Sequence, residues 1–249
     1  MAKLITTQAV VLFSDHFGEA DSLVTLYAKS LGKVKCLAKG ARKSKKRFMN
    51  ALEPFNILTA KLRTKSKDRL ILLESASIRL VPESVRQDYK CYLYASLSLE
   101  LVDLWIRDFQ KDREIFDLLL WFINSLEAGA SPLKNAIIFQ AKLLKIAGYM
   151  PELDKCKRCK QDIKGRYVGF SIQTGQMICR QCLRDMTTNI MSFSTLKTLI
   201  HICKTSLDLV GRLQISENSS KELWKYLKER HCFCLEQEPR SFSLMKCHR

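Results

Sequence analysis

The chain has 249 residues, with 42 Lys+Arg against 25 Asp+Glu and a formal net charge of +17 near neutral pH. At 47% hydrophobic and 27% charged, with only 9 Gly and 5 Pro, it can bury real cores and is not a disordered basic tail. No apolar run approaches the roughly 18 residues that cross a bilayer. The start, Met1-Ala2-Lys3-Leu4-Ile5-Thr6-Thr7, lacks the apolar stretch and cleavage site of a signal peptide, so a cytoplasmic protein without membrane contact is expected. A cation excess in such a protein points to nucleic acid, unless the charge serves only solubility.

The position of the charge separates these two readings. Residues 1–70 hold 15 Lys+Arg and 5 Asp+Glu, a net +10, whereas residues 71–150 hold 9 and 10. Residues 151–185 hold 8 and 4, and residues 186–249 hold 10 and 6. From Lys29 to Arg47 there are nine cations and no acid. Charge kept for solubility intersperses its signs, so this run favours a polyanion.

In chain order, the first elements read as strands. Gln8 to Ser14 is rich in β-formers, and Ser22 to Tyr27 alternates apolar and polar up to a turn at Leu31-Gly32-Lys33. Val34, Cys36 and Ala38 then alternate with Lys33, Lys35 and Lys39, which predicts one apolar and one cationic face. Phe55–Leu62 and Leu70–Glu74 complete five strands in about 80 residues, the size of an OB-fold barrel, whose face and loops take single-stranded nucleic acid. Strand count alone leaves an SH3-like barrel open. The cations Lys33, Lys35, Lys39, Arg42, Lys43, Lys45, Lys46 and Arg47 are the candidate phosphate contacts.

Beyond Pro82 the period becomes helical. Tyr89, Leu93, Leu97, Leu101 and Leu104-Trp105 form one stripe, and Ile115, Leu119, Phe122 and Leu126 another. Ser131-Pro132 caps a third helix carrying Leu133, Ile137, Gln140, Leu144 and Ala147, which stops at Gly148. Ser192 or Ser194 opens a helix through Leu196, Ile200, Cys203 and Leu207, and Ser219-x-x-Glu222 reads as a capping box. The expected fold is α+β: an OB-fold barrel over 1–80, an all-α helical domain from 81–150 and 186–249, and an insert over 151–185.

The insert holds Cys156-x-x-Cys159 and, after nineteen residues, Cys179-x-x-Cys182. In a reducing compartment, two such knuckles are the spacing of one tetrahedral four-thiolate zinc site; iron–sulfur cysteines follow other spacings. Gly165, Gly169, Gly175 and Tyr167-Val168-Gly169-Phe170 suit a β-ribbon between the knuckles. Four thiolates leave no open position, so one structural Zn2+ is expected, not a water-activating one. The cations around it, Lys155, Lys157, Arg158, Lys160, Lys164, Arg166, Arg180 and Arg184, fit phosphate contact and compensation of a negative centre equally well. Cys36, Cys91 and Cys203 fall on apolar faces and read as core residues. His231-Cys232-Phe233-Cys234 with Cys247-His248 matches no standard knuckle, and a helix end packed on the core is expected there.

Catalytic motifs are missing. Gly32-Lys33 lacks the rest of a phosphate loop, no His-x-Glu precedes a Cys-x-x-Cys pair, and His16, His201, His231 and His248 are scattered without a nucleophile motif. The expectation is a binding protein and not an enzyme.

Two blocks of sequence carry a family resemblance. Phe17-Gly18-Glu19-Ala20-Asp21-Ser22-Leu23-Val24-Thr25-Leu26, Leu31-Gly32-Lys33, Ala38-Lys39-Gly40-Ala41-Arg42-Lys43-Ser44 and Leu52-Glu53-Pro54-Phe55 resemble the amino-terminal domain of the RecO family of bacterial DNA repair and recombination mediators. The run from Phe139 to Cys156, including Ala147-Gly148-Tyr149-Met150-Pro151, resembles the helix leading into that family's zinc finger, and Arg240-Ser241-Phe242 fits its ending. The resemblance spans essentially the whole chain. It implies binding to single- and double-stranded DNA, strand annealing and, with RecR, loading of RecA recombinase onto strands coated by single-stranded DNA-binding protein, whose acidic C-terminal tail is a further partner. It also implies a cytoplasmic, nucleoid-associated protein, zinc on Cys156, Cys159, Cys179 and Cys182, and a basic loop at Lys39 to Arg47. Two other readings of the residues stand beside it: an OB-fold and zinc-ribbon RNA-binding protein of ribosome assembly or transcription, and a scaffold for acidic protein tails.

Overall fold

The computed structural model describes residues 3–44, 46–64, 70–183 and 189–246. The chain divides into two compact units, Met1–Gly129 and Ala130–Arg249.

The first unit is built on a closed five-stranded barrel of β1 (Lys3–Phe17), β2 (Asp21–Ala28), β3 (Gly32–Ala38), β4 (Ile57–Thr64) and β5 (Ile71–Leu80) in the order β1-β2-β3-β5-β4. This is the OB-fold arrangement, and the length of β1 makes it possible. Residues 9–17 pair with β2 and residues 3–10 pair with β4, so one strand serves both sides of the closure. A bulge between Val11 and Phe13 bends the strand where it changes partner. The remaining seam is the short parallel pairing of Cys36 with Ile71 and Leu37 with Leu72. Alternation sends Val11, Val24, Leu26, Val34, Cys36, Leu62 and Leu73 into the barrel. Phe48, Ala51 and Leu52 from the β3–β4 connection fill it from one end. The last strand runs to Leu80, six residues beyond the expected Glu74. The fourth begins at Ile57, because Phe55 takes a left-handed conformation with φ 73° and packs edge-on to Tyr92.

Three helices complete this unit: α1 (Glu83–Gln87), α2 (Tyr89–Trp105) and α3 (Arg113–Glu127). Of the predicted stripes, Leu93, Leu97 and Leu101 of α2 and Ile115, Leu119, Phe122 and Leu126 of α3 are buried, whereas Tyr89 is exposed and Leu104 and Trp105 are half-buried. Asp88 caps α2 by accepting from the Cys91 amide at 2.7 Å, and Asp112 caps α3 through the Glu114 and Ile115 amides. The Tyr27 ring stacks on Phe116, and its hydroxyl donates to the Asp112 carbonyl at 3.0 Å. Gly32 has φ 75°, and a Cβ there would lie 2.0 Å from the Gln110 carbonyl oxygen, so this turn accepts only glycine.

The second unit contains α4 (Pro132–Ile146), a three-stranded sheet of β6 (Tyr167–Phe170), β7 (Met177–Ile178) and β8 (Ile190–Ser192) in the order β7-β6-β8, and then α5 (Phe193–Lys204), α6 (Leu207–Val210), α7 (Glu217–Leu235) and α8 (Arg240–Lys246). Ser131 caps α4 with Pro132 in its first turn, and Ser192 caps α5. The anticipated box at Ser219 and Glu222 does not open a helix. α7 begins at Glu217 behind a Ser216 cap, and Ser219 is buried. Glu222 turns instead to the start of α5, accepting from the Ser192 amide at 3.0 Å, the Ser192 hydroxyl and the Thr195 hydroxyl. Partial burial would raise its pKa, but these donors outweigh that and lower it. The other end of α5 is served by α4, whose Lys145 and Lys142 ammonium groups donate to the Cys203 and Thr205 carbonyls. His231 is fully buried; burial, opposed by its hydrogen bond to the Gln140 backbone, holds its pKa down at about 3.

Candidate nucleic-acid interface and metal centre

The basic run lies on one rim of the barrel, in a form set by a few backbone contacts. After β3 the chain makes one turn of 3-10 helix over Ala41–Lys43 and is fastened to the β1–β2 tip. The Gly40 amide donates to the Asp21 carboxylate at 2.7 Å, the Arg42 amide to the Ala20 carbonyl at 3.0 Å, and the Arg42 guanidinium to the Glu19 carbonyl at 3.3 Å. Arg47 donates to the Lys39 carbonyl at 2.8 Å and lies over the ring of Phe48, which is buried in the barrel. The backbone is therefore anchored by polar contacts at one end and an apolar plug at the other. Lys35, Lys39, Arg42, Lys43, Lys46 and Arg47 are exposed, and Lys45 lies outside the described residues. An array of cations on an ordered backbone binds polyphosphate without a large ordering cost.

Lys33 is a correction to the predicted set. Strand alternation placed it on the cationic face, but it is 7% exposed. Its ammonium donates to the Asp103 carbonyl at 2.6 Å and pairs with the Asp103 and Asp108 carboxylates at 3.1 and 3.5 Å. The segment after α2 runs beside the start of β3, where the Phe109 amide donates to the Lys33 carbonyl at 2.7 Å. A cation already neutralised by two carboxylates is not available to a phosphate.

Cys156, Cys159, Cys179 and Cys182 come together, their sulfurs all within 4.8 Å of one another. With metal–sulfur bonds of about 2.3 Å, a tetrahedron has sulfur–sulfur edges of about 3.8 Å. Cys159 and Cys179 are 3.8 Å apart. The Cys179 amide donates to the Cys156 sulfur at 3.3 Å. For Cys156, burial opposes ionisation, yet donation from the Cys179, Cys159 and Arg158 backbones prevails and brings the thiol to about 6. Cys182 is pushed up to about 12 by its hydrogen bond to Cys179, burial and the other two sulfurs. Crowding four sulfurs this closely resists full ionisation unless a cation sits among them. The donor set and its spacing thus fit a metal ion, and it is the single such group among the described residues.

The predicted ribbon is the antiparallel β6–β7 pair, with β8 added on the outer side of β6. Its loop is held from α7 rather than hanging free. Arg230, 3% exposed, donates to the carbonyls of Ile172, Gln173 and Tyr149, and the Tyr226 hydroxyl donates to the Gly175 carbonyl at 2.9 Å. Gly175 has φ 70°, and a Cβ there would meet Arg230 Nε at 2.7 Å. No sequence pattern announced this clamp, since a lone Arg on a helix carries no periodic signal. The cations Lys157, Arg158, Lys160, Lys164, Arg166 and Arg180 are exposed; Lys155 pairs with Glu152 at 3.4 Å, and Arg184 lies outside the described residues.

Cys36, Cys91 and Cys203 are buried, and burial raises their thiols to about 12, 11 and 11. They behave as the core residues the pattern predicted. His231, Cys232 and Cys234 lie on α7 and join no metal-binding group among the described residues; Cys247 and His248 lie outside them.

Comparison with known proteins gives a consistent picture. A family model described as "Recombination protein O N terminal" matches residues 1–80, and one described as "Recombination protein O C terminal" matches residues 86–237. The chain is similar to the DNA repair protein RecO of Syntrophus aciditrophicus (strain SB), 33% identical over 221 residues that cover 87% of this chain and 85% of that one. It is 35% identical over 215 residues to the DNA repair protein RecO of Anaeromyxobacter dehalogenans (strain 2CP-C), covering 86% and 84%. To the DNA repair protein RecO of Desulfatibacillum aliphaticivorans it is 30% identical over 248 residues, covering 97% and 96%.

Proposed function

The chain belongs to the RecO family of DNA repair proteins, and from that premise we propose that it is a non-enzymatic recombination mediator whose barrel binds single-stranded DNA through its basic rim. Six exposed cations, Lys35 on β3 and Lys39, Arg42, Lys43, Lys46 and Arg47 on the loop that follows it, carry this reading. They track phosphates, which every sequence presents, so binding is tolerant of sequence. Annealing of complementary strands then needs no nucleotide hydrolysis. Neutralised phosphates repel less, and base pairing supplies the free energy. With RecR, the protein helps load RecA onto single strands coated by single-stranded DNA-binding protein, whose acidic C-terminal tail is a second partner. In the second unit, Cys156, Cys159, Cys179 and Cys182 would hold one structural zinc ion, which when bound fixes the fold of the finger and leaves no position for substrate.

The direct test is the affinity of the full chain for an unstructured single strand, titrated against salt. About six neutralised phosphates give a slope of log K against log[salt] near −4. Alanine at Arg42, Lys43, Lys46 and Arg47 together should weaken binding and reduce that slope by about 3. An unchanged slope would reject the basic rim as the DNA contact. Annealing of complementary strands with and without single-stranded DNA-binding protein, and with RecR added, tests the mediator role.

A further inference from the structure

The barrel register lines up its outward-facing residues in rows. Asp15 of β1 lies opposite Leu23 of β2, Leu23 opposite Leu37 of β3, and Leu37 opposite Leu72 of β5. One row nearer the β1–β2 tip, Phe17 lies opposite Asp21; one row further from it, Phe13 lies opposite Thr25, and Thr25 opposite Lys35. Leu23, Leu37 and Leu72 are half-buried, Lys35 is exposed, and Phe17 is 53% exposed. A short aliphatic band therefore crosses three strands beside a phenyl ring standing at the tip.

An exposed apolar side chain alone needs no explanation. Phe17 is distinguished by its place, because the backbone just after it, at Glu19, Ala20 and Asp21, is where the basic loop is fastened. The cations of the loop and the ring thus share one rim. The charges around the ring also sort the two parts of a nucleotide. Asp15 and Glu19 are exposed beside Phe17 and repel phosphate, whereas Arg42 and Lys43 on the adjoining loop attract it. A strand laid on this rim meets least resistance with its backbone over the loop and its uncharged bases over the ring.

We infer that Phe17 is the platform on which a base of the bound strand stacks, with the Leu23–Leu37–Leu72 band as the apolar floor beside it. The inference rests on the proposed single-stranded DNA binding and names the residue that contacts the bases rather than the phosphates. Every base has a π-face, so such a platform adds affinity without sequence preference.

The experiment compares the full-length protein, F17A, F17L, F17W and the R42A/K43A pair on an unstructured single strand and on a strand of equal length built of abasic sites. F17A and F17L should bind the ordinary strand about tenfold more weakly, with an unchanged salt slope, and F17W should restore binding. On the abasic strand F17A should match the wild type, because no base is present to stack. R42A/K43A should lose affinity on both strands with a shallower slope. If F17A binds the ordinary strand as tightly as the wild type while R42A/K43A is weakened, the platform is wrong and the basic rim stands. If F17A loses equally on both strands, Phe17 acts on the fold and the inference fails. If R42A/K43A is unimpaired as well, the DNA face itself is wrong.

Discussion

The chain has two cation-rich segments, and they are held in shape by different means. The loop from Lys39 to Arg47 hangs from a hydrophobic core: Phe48, 3% exposed, sits inside the barrel, and hydrogen bonds to the β1–β2 tip fix the rest. The finger around Cys156 and Cys179 has short strands, of four, two and three residues, which bury Val168, Phe170, Met177, Ile178 and Met191. To that burial it adds four converging sulfurs and the Arg230–Tyr226 clamp. Cation density alone therefore says little about how a segment is ordered. Apolar burial and the contacts to the tip order the first, while the second combines apolar burial with a clamp from α7 and a sulfur cluster that fits a metal ion.

The largest effect that could break this contrast is loss of the zinc ion proposed for the four sulfurs. Structural zinc in small domains binds with roughly 10–16 kcal/mol of apparent free energy, most of it realised as folding. Chelation, or Cys156→Ser, should strip hydrogen-exchange protection from residues 155–180 and leave strands β1 and β2 as protected as before. The tip at 172–175 should be the last part of the finger to open, since Arg230 holds its carbonyls independently of the sulfurs. DNA binding through the barrel should keep its salt slope in the same sample. Equal protection with and without chelator would mean that the sulfurs do not organise the finger.

The matching experiment on the other segment is Phe48→Ala. Truncating a buried phenylalanine typically costs about 3–5 kcal/mol, and here it also removes the ring beneath Arg47, whose guanidinium lies 5.1 Å from its centroid. Denaturant unfolding should show the barrel destabilised by that amount. DNA affinity measured where the variant is still folded should also fall, because an unplugged loop must be ordered at the moment of binding. If affinity in the folded state is unchanged, the contacts to the β1–β2 tip suffice and the plug serves stability alone.

Much of this was legible in the residues because local chemistry dictated it. Alternation and runs of β-formers marked five strands, Ser131 and the pair Ser192/Ser194 marked helix starts, and the spacing of Cys156, Cys159, Cys179 and Cys182 marked a site whose sulfurs do converge. What escaped depended on partners far away in sequence. Ser219 and Glu222 have the spacing of a capping box, yet Glu222 accepts from Ser192 and Thr195, thirty and twenty-seven positions earlier. Arg230 reaches back 58 residues to Ile172. Phe17 acquires meaning only once the register sets it one row from a band of leucines and the loop from Gly40 folds against its turn.

Lys33 shows the same limit within a single strand, and it gives the smallest effect. Lys33 and Lys35 share a parity in β3, and alternation treats them alike. Lys35 is exposed, while Lys33 is covered by the segment carrying Asp108. Both carboxylates beside Lys33 are partly exposed, at 35% and 45%, so solvent screens the pair and its removal should cost only about 1 kcal/mol. Lys33→Met should therefore lower the melting temperature by a few degrees, roughly 2–4 °C, and leave the salt slope of DNA binding untouched. Lys43→Ala should do the reverse, keeping the melting temperature and making the slope shallower by about 0.7. The two lysines then separate on two axes, stability and counterion release. If Lys33→Met flattens the slope as Lys43→Ala does, the Asp103 and Asp108 contacts give way to phosphate in the complex, and Lys33 returns to the DNA face on which alternation first placed it.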